Sequence, residues 1–91
     1  MLFITMCKVK AGTMQERIVR RAQWEFPEGM NVLAEYWPLG GEYSVITIVE
    51  GDSVARMMAA IIAWDDVFDF TITPAVTAKD GLCLAQQMMK S

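Results

Sequence analysis

The fold of this chain is decided by the stretch Tyr43-Ser-Val-Ile-Thr-Ile-Val-Glu-Gly-Asp-Ser-Val-Ala-Arg-Met-Met-Ala-Ala-Ile-Ile-Ala-Trp64. Its first seven residues are rich in β-branched side chains and predict a central strand. Gly51-Asp52-Ser53 supplies turn and N-cap chemistry, and residues 54–64 predict a helix that is apolar around most of its surface. A strand and a helix of this kind must be covered by other elements, so the rest of the chain is expected to pack around them.

On the N-terminal side, residues 2–10 predict a first strand. Thr13-Met-Gln-Glu16 is a capping box that starts a helix running to about Trp24, and Pro27 and Gly29 terminate it. The arginines of this helix are expected to face solvent, and its inward set is Met14, Ile18, Val19 and Ala22.

Residues 30–39 predict a second strand, which Gly40-Gly41 closes as a hairpin into the strand at 42–50. The fourth strand, residues 67–76, alternates cleanly, because apolar Phe68 and Phe70 are separated by Asp69. Asp80-Gly81 can start a short final helix.

The order strand, helix, strand, strand, helix, strand predicts an α+β fold, a ferredoxin-like βαββαβ sandwich. We expect one domain over residues 1–91, with a core at 1–77 and a C-terminal helical extension at 78–91. The four-stranded antiparallel sheet should carry both crossover helices on one face, by the right-handed crossover rule. The second and fourth strands should form the two edges.

The assignment of the two sheet faces follows the alternation of side chains along each strand. The almost purely apolar set is assigned to the helices: Leu2, Ile4, Met6, Ile46, Ile48, Phe68, Phe70 and Ile72. The mixed set is assigned to the open face: Phe3, Thr5, Cys7, Val9, Tyr43, Val45, Thr47, Val49, Asp69, Thr71 and Thr73, together with Glu35 and Trp37. An open face with so many apolar groups predicts burial against a second copy, as a dimeric α+β barrel.

The charge of the chain is unevenly distributed. Net charge is −3, but residues 1–21 carry five basic side chains against Glu16 alone, giving +4, and residues 22–91 carry three basic and ten acidic ones, giving −7. An acidic chain of this kind is not expected to bind nucleic acid. The basic corner could hold an anionic ligand or simply be a solvated helix face. Lys8 interrupts the opening apolar run, so no membrane segment is expected and the protein is predicted to be cytoplasmic.

Few catalytic chemistries are open to these residues. The sequence has no histidine and only two cysteines, Cys7 and Cys83, which are far apart, so zinc-finger and thioredoxin-like sites are excluded. Cys7 lacks a base and is interpreted as a packing thiol. Asp65-Asp66-Asp69 is interpreted as a solvated helix exit, in preference to a hard-cation site. We therefore predict no catalytic residue, no metal and no cofactor.

Several short motifs resemble a known family: Gly12-Thr13 entering a helix, Tyr36-Trp37, Val49-Glu50, Trp64-Asp65 and Thr73-Pro74-Ala75-Val76. Over about residues 1–77 the chain is similar to a domain-of-unknown-function family of short prokaryotic proteins, itself similar to the dimeric α+β barrel superfamily. The resemblance implies a ferredoxin-like fold and no established activity. Relatives commonly carry a histidine after the tryptophan, where this chain has Pro38, so an activity that needed that histidine would be missing.

The mixed face offers a pocket with hydroxyls among aromatic rings, which suits a small apolar or aromatic ligand. The predicted ligand-binding residues are Thr5, Trp37, Tyr43, Thr47 and Thr71. Two functions follow. The first is a non-enzymatic homodimeric binding or interaction module. The alternative is a cofactor-free monooxygenase or isomerase, which the superfamily resemblance suggests; its pocket would lie on the sheet face.

Overall fold

The computed structural model describes residues 1–52 and 54–90, and its element order confirms the predicted βαββαβ arrangement with a C-terminal helix. The elements are β1 (Leu2–Val9), α1 (Met14–Gln23), β2 (Met30–Tyr36), β3 (Val45–Gly51), α2 (Val54–Trp64), β4 (Phe68–Ala75) and α3 (Ala78–Lys90). Ser53, which the sequence suggests as part of the cap of α2, lies outside the described residues.

The four strands form one antiparallel sheet in the order β2-β3-β1-β4. β1 and β3 are central, and β2 and β4 are the edges, as predicted for a ferredoxin-like sandwich. Pro74, which lacks a backbone N–H, lies on edge strand β4, where one side of the strand has no partner.

The predicted faces of β1 and β3 are wrong. Phe3, Thr5 and Cys7 of β1 are buried on the helix side of the sheet, where Phe3 packs with Met57 of α2. Cross-strand neighbours share a face, so the partners of these residues in β3, Val49, Thr47 and Val45, lie on the same side. The alternation could not separate the faces, because both sets of side chains in β1 and β3 are largely apolar.

The prediction for β4 is confirmed. Phe68 and Phe70 pair with Val9 and Cys7 and join the helix side of the sheet. Phe68 is buried in a cluster with Cys7 and Trp64 of α2. Here the alternate positions are Asp69, Thr71 and Thr73, so charge and polarity distinguish the two faces.

The open face therefore carries the more apolar set of β1 and β3. Its members include Leu2, Ile4, Met6, Ile46 and Ile48, with Lys8 from β1 and Asp69, Thr71 and Thr73 from β4. The five apolar side chains are only partly buried. This face is more hydrophobic than the sequence analysis predicted.

The connection between β2 and β3 is longer than a tight hairpin. β2 ends at Tyr36 and β3 begins at Val45, because Pro38 cannot donate a ladder hydrogen bond and Gly41 has a φ of +86°. A register shift between Val32 and Ala34 precedes the end of β2 and places Glu35 opposite Thr47, on the helix side.

The capping box at the start of α1 is confirmed. The Glu16 backbone N–H donates to Thr13 Oγ1, and the Thr13 N–H donates to Glu16 Oε2, both at 3.2 Å. At the other end, Arg20 donates to Asp66 at 2.8 Å and to the carbonyl of Ala63, and its guanidinium lies 4.6 Å from the centre of the Trp64 ring. These contacts attach the C-terminal half of α1 to the end of α2.

The final helix, α3, starts at Ala78, two residues earlier than predicted, and the Thr77 hydroxyl accepts from the Asp80 N–H. None of its described side chains is buried, and Leu82, Leu84, Met88 and Met89 are all at least half exposed. The described chain has a radius of gyration of 15.4 Å and a longest dimension of 52 Å, whereas a compact chain of this length has a radius near 12 Å. No helix in the described part of the chain is long and apolar enough to cross a membrane.

Candidate functional site

A cavity of about 420 Å³ lies between α1 and the helix side of the sheet. Its floor is made by buried side chains of the two central strands, Thr5, Cys7, Thr47 and Val49. Exposed side chains such as Met14 and Leu39 form its rim. The volume falls in the range of small-molecule sites.

Aromatic rings form a large part of the wall. All three tryptophans of the chain, Trp24, Trp37 and Trp64, line the cavity, as do Phe26, Phe68 and Phe70. The Trp24 ring lies 4.6 Å from Phe26 and 5.8 Å from Trp64, both edge to face, and Trp64 lies 5.7 Å from Phe68. Such contacts hold rings in defined orientations, so the wall is preorganised.

Thr5, a residue of the floor, carries a buried hydroxyl without a partner within the described residues. The residue is 8% exposed, and its Oγ1 is buried with no hydrogen-bond partner in the described structure. A buried hydroxyl without a partner is unfavourable by about 1–3 kcal/mol. A polar atom of a bound molecule would relieve that cost.

Glu35, Arg21 and Trp37 form a hydrogen-bonded group in the wall. Arg21 donates to both carboxylate oxygens, Nη2 to Oε1 at 2.9 Å and Nε to Oε2 at 3.3 Å, and the Trp37 indole N–H donates to Oε2 at 2.7 Å. Burial alone would raise the pKa of the Glu35 carboxyl, but the hydrogen bonds from Arg21 and Trp37 and the charge of Arg21 outweigh it, so the pKa lies below its usual value. The carboxylate is ionised at neutral pH, and its negative charge is balanced by Arg21.

Cys7 is a poor nucleophile in this position. Burial, with a smaller contribution from the negative charge of Glu35, raises the pKa of its thiol to about 12. The reactive thiolate is therefore scarce at neutral pH. This agrees with the interpretation of Cys7 as a packing residue.

α1 turns two of its arginines toward the cavity. Met14, Arg17, Ile18 and Arg21 all line it, whereas Val19 is exposed and does not. Met14 and Ile18 face inward as predicted, but the prediction is wrong for Arg17 and Arg21, which line the cavity, and for Val19 and Ala22, which are exposed. Positions 14, 17, 18 and 21 have the i, i+3, i+4, i+7 spacing of one helix face, whereas hydrophobicity alone favours a different face.

Three of the five predicted ligand-binding residues line the cavity: Thr5, Trp37 and Thr47. Tyr43 and Thr71 do not; Thr71 lies opposite Met6 on the open face. The cavity therefore lies between the sheet and α1. The mixed apolar and hydroxyl set of β1 and β3 forms its floor, on the helix side of the sheet. Arg17, Trp24 and Trp64 also line the cavity but are not among the predicted site residues, since their contact depends on how α1 lies over the sheet.

The carboxylates discussed above do not converge. Glu35 is on the helix side of edge strand β2, and Asp69 is on the open side of edge strand β4. Asp66 pairs with Arg20, and Asp69 lies 3.8 Å from Lys10. Within residues 1–52 and 54–90, no group of three or more side chains is arranged to hold a metal ion.

Comparison with known proteins gives one result. The family model described as "Domain of unknown function (DUF3303)" matches residues 1–89, which confirms the resemblance to a family without an assigned activity. No curated protein and no solved structure gives a significant match.

Proposed function

We propose that this chain, which belongs to the DUF3303 family, is a homodimeric module that binds a small, mainly apolar molecule in the cavity between α1 and the sheet. The observation that carries this proposal is a preorganised aromatic cavity whose floor contains the unpartnered Thr5 hydroxyl. Buried hydroxyls in native structures nearly always have a hydrogen-bond partner, so a buried hydroxyl that lacks one favours a bound ligand over a packing defect.

A binding role is supported better than catalysis. A cofactor-free monooxygenase or isomerase remains the alternative that the fold class suggests. Its support is weak, because Glu35, the carboxylate of the lining, already accepts three hydrogen bonds, and its lowered pKa makes it a weak base. The thiol of Cys7 stays protonated.

Self-association would cover the open face. The chain exposes 6469 Å², whereas a compact monomer of its mass exposes about 5,300 Å². The excess of about 1,200 Å² is comparable with the roughly 800 Å² that each partner loses in a standard interface. Leu2, Ile4, Met6, Ile46 and Ile48 would form the centre of that interface.

α3 would contribute to the same dimer. Its apolar side chains, Leu82, Leu84, Ala85, Met88 and Met89, occupy one half of the helix circumference, and Gln87 and Lys90 lie on the other. Because Leu82, Leu84 and Met89 of this half are at least half exposed on their own subunit, we propose that it packs on the partner. We also propose a cytoplasmic location, which two cysteines present as free thiols support.

Native mass spectrometry of gently purified protein tests the proposal. We expect a dimer with a co-purifying small molecule. The variant Ile18→Trp fills the cavity from α1 and should lose that molecule, whereas Val19→Trp adds the same ring to the outer side of the helix and should retain it. Equal occupancy in both variants would contradict the cavity as the binding site, and a stable monomer would contradict the dimer.

A further inference from the structure

We infer that the molecule bound in this cavity is an amphipathic monoanion, with an apolar or aromatic body and one carboxylate-like group held by Arg17. The inference rests on the proposed function and specifies the chemical class of its ligand. The aromatic wall and the Thr5 hydroxyl would suit a neutral ligand equally well. The charge of the lining residues distinguishes an anionic ligand from a neutral one.

Arg17 lies on the cavity side of α1. It is half-buried and shares its helix face with Met14, Ile18 and Arg21, all of which line the cavity. One N–H group, on Nη1, donates to the Gly12 carbonyl at 3.1 Å. A guanidinium has five N–H groups in a planar fork, so others remain to bind a ligand.

Arg17 has no carboxylate partner within the described residues. The other four basic side chains of residues 1–21 all have one: Lys8 with Glu42, Lys10 with Asp69, Arg20 with Asp66 and Arg21 with Glu35. Among the five basic side chains of residues 1–21, Arg17 therefore lacks a carboxylate partner, and its unbalanced charge lies at the cavity.

The cavity lining is positive in a negative protein. Its charged members are Arg17, Arg21 and Glu35, which sum to +1, while the whole chain carries −3. Arg21 and Glu35 neutralise each other through two hydrogen bonds. The remaining charge belongs to Arg17, and a single negative group on the ligand would balance it in a partly desolvated place.

Thr5 is the second, independent observation that points to a ligand. Thr5 lines the floor and its buried Oγ1 has no partner within the described residues, whereas Arg17 lies on the helix that covers the cavity. A molecule that met both would have an anionic group on the α1 side and a hydroxyl or carbonyl on the sheet side. Its apolar body would lie between, against Trp24, Trp64 and Phe68.

A matched pair of probes tests this inference: 1-naphthaleneacetate and 1-naphthaleneacetamide have similar shapes and differ in charge. Binding is followed by quenching of the three tryptophans, all of which line the cavity, and by titration calorimetry. We expect the anion to bind at least about tenfold more tightly than the amide at low salt. Added salt should reduce that advantage.

Variants of the chain test whether Arg17 carries the positive charge that binds the anion. Arg17→Gln should lower the affinity for the anion to that for the amide and leave the amide unchanged, and Arg17→Lys should retain part of the preference. Lys79→Gln removes one positive charge from α3, outside the cavity lining, and should have no effect. Circular dichroism of each variant checks that α1 remains folded.

The outcomes separate the two levels of the proposal. If the amide binds as tightly as the anion, or if Arg17→Gln leaves the preference unchanged, the anionic class is wrong and the cavity remains a binding site. If neither probe quenches the tryptophans, the proposed binding function itself loses its support.

Discussion

Arg21 of α1 and Glu35 of β2 are joined by two hydrogen bonds across the wall of the cavity, at 2.9 and 3.3 Å. The Glu35 side chain is 16% exposed, so the pair is shielded from solvent more than a surface ion pair. Trp37, two residues further along the chain, donates to the same carboxylate. The interaction links α1 to edge strand β2 across the wall of the cavity.

The first prediction concerns this carboxylate. Glu35→Gln removes the charge that balances Arg21 and should lower the free energy of unfolding by about 1–2 kcal/mol, since it leaves a partly buried guanidinium without an anion. Urea denaturation followed by tryptophan fluorescence measures the change. Glu25→Gln, at an exposed position near the end of α1, is the matched control and should be close to neutral.

The same pair predicts a pH dependence. The pKa of Glu35 in the folded state lies below its ordinary value of 4.5. The stabilisation is therefore fully present above that value and is lost as pH falls through the lowered folded-state pKa. The stability difference between the native protein and Glu35→Gln should shrink below pH 4.5; a difference that grew on acidification would contradict the assignment.

The second prediction concerns the unpartnered hydroxyl. Thr5→Val preserves shape and removes a buried polar atom, so the free protein should gain about 1 kcal/mol in the free energy of unfolding. Binding of a ligand with a polar distal group should weaken at the same time. A large loss of stability in Thr5→Val would mean that the hydroxyl has a partner.

The third prediction separates the two thiols. Burial raises the pKa of Cys7 to about 12, whereas Cys83 is exposed on α3. With a disulfide reagent at pH 8, one thiol per chain should react in the native protein and two after denaturation. Cys83→Ser should abolish the native reaction. Rapid native labelling of that variant would show that Cys7 is accessible.

The fourth prediction concerns the open face. Ile48→Glu introduces a charge at the centre of the proposed interface and should raise the dimer dissociation constant by at least about tenfold, because the carboxylate would be buried without a partner. Sedimentation equilibrium measures the constant. Gln23→Glu adds the same charge at an exposed position on α1 and should leave it unchanged. Equal effects of the two substitutions would point to net charge as the cause.

The fifth prediction concerns α3. Leu82→Glu on its apolar half should weaken the dimer, and Gln87→Glu on its polar half should not. Both variants add one negative charge to the same helix, so the comparison isolates the face that carries it. An unchanged dimer dissociation constant in Leu82→Glu would show that α3 has no role in assembly.

Local signals were sufficient for most of the secondary structure. The capping box at Thr13 and Glu16 positions the start of α1, and the alternation of Phe68 and Phe70 with Asp69 predicts both β4 and its buried face. The sequence predicts too tight a hairpin: Gly40-Gly41 suits a turn, but β2 ends at Tyr36, before Pro38, and β3 begins only at Val45. These features depend on neighbours in the chain, which a sequence displays directly.

The faces of β1 and β3 could not be obtained in this way. Both sets of alternate side chains in Leu2–Val9 are rich in apolar residues, so alternation alone does not show which set is buried against the helices. Met57 and Trp64 of α2 decide between them by packing on Phe3 and Cys7. The error moved the predicted pocket to the wrong side of the sheet, although Thr5, Trp37 and Thr47 were correctly placed together.

The sequence by itself determined the order of the elements, the central and edge strands, the absence of histidine chemistry and the presence of a strongly basic N-terminal corner. Only the tertiary structure decided which side chains share the cavity. Glu35 is 14 residues from Arg21 and Trp64 is 40 residues from Trp24, and their contacts depend on how α1 crosses the sheet. Helical periodicity shows which residues of α1 share a face, but it does not show which element that face lies against. That second element decides whether the face lines a binding site.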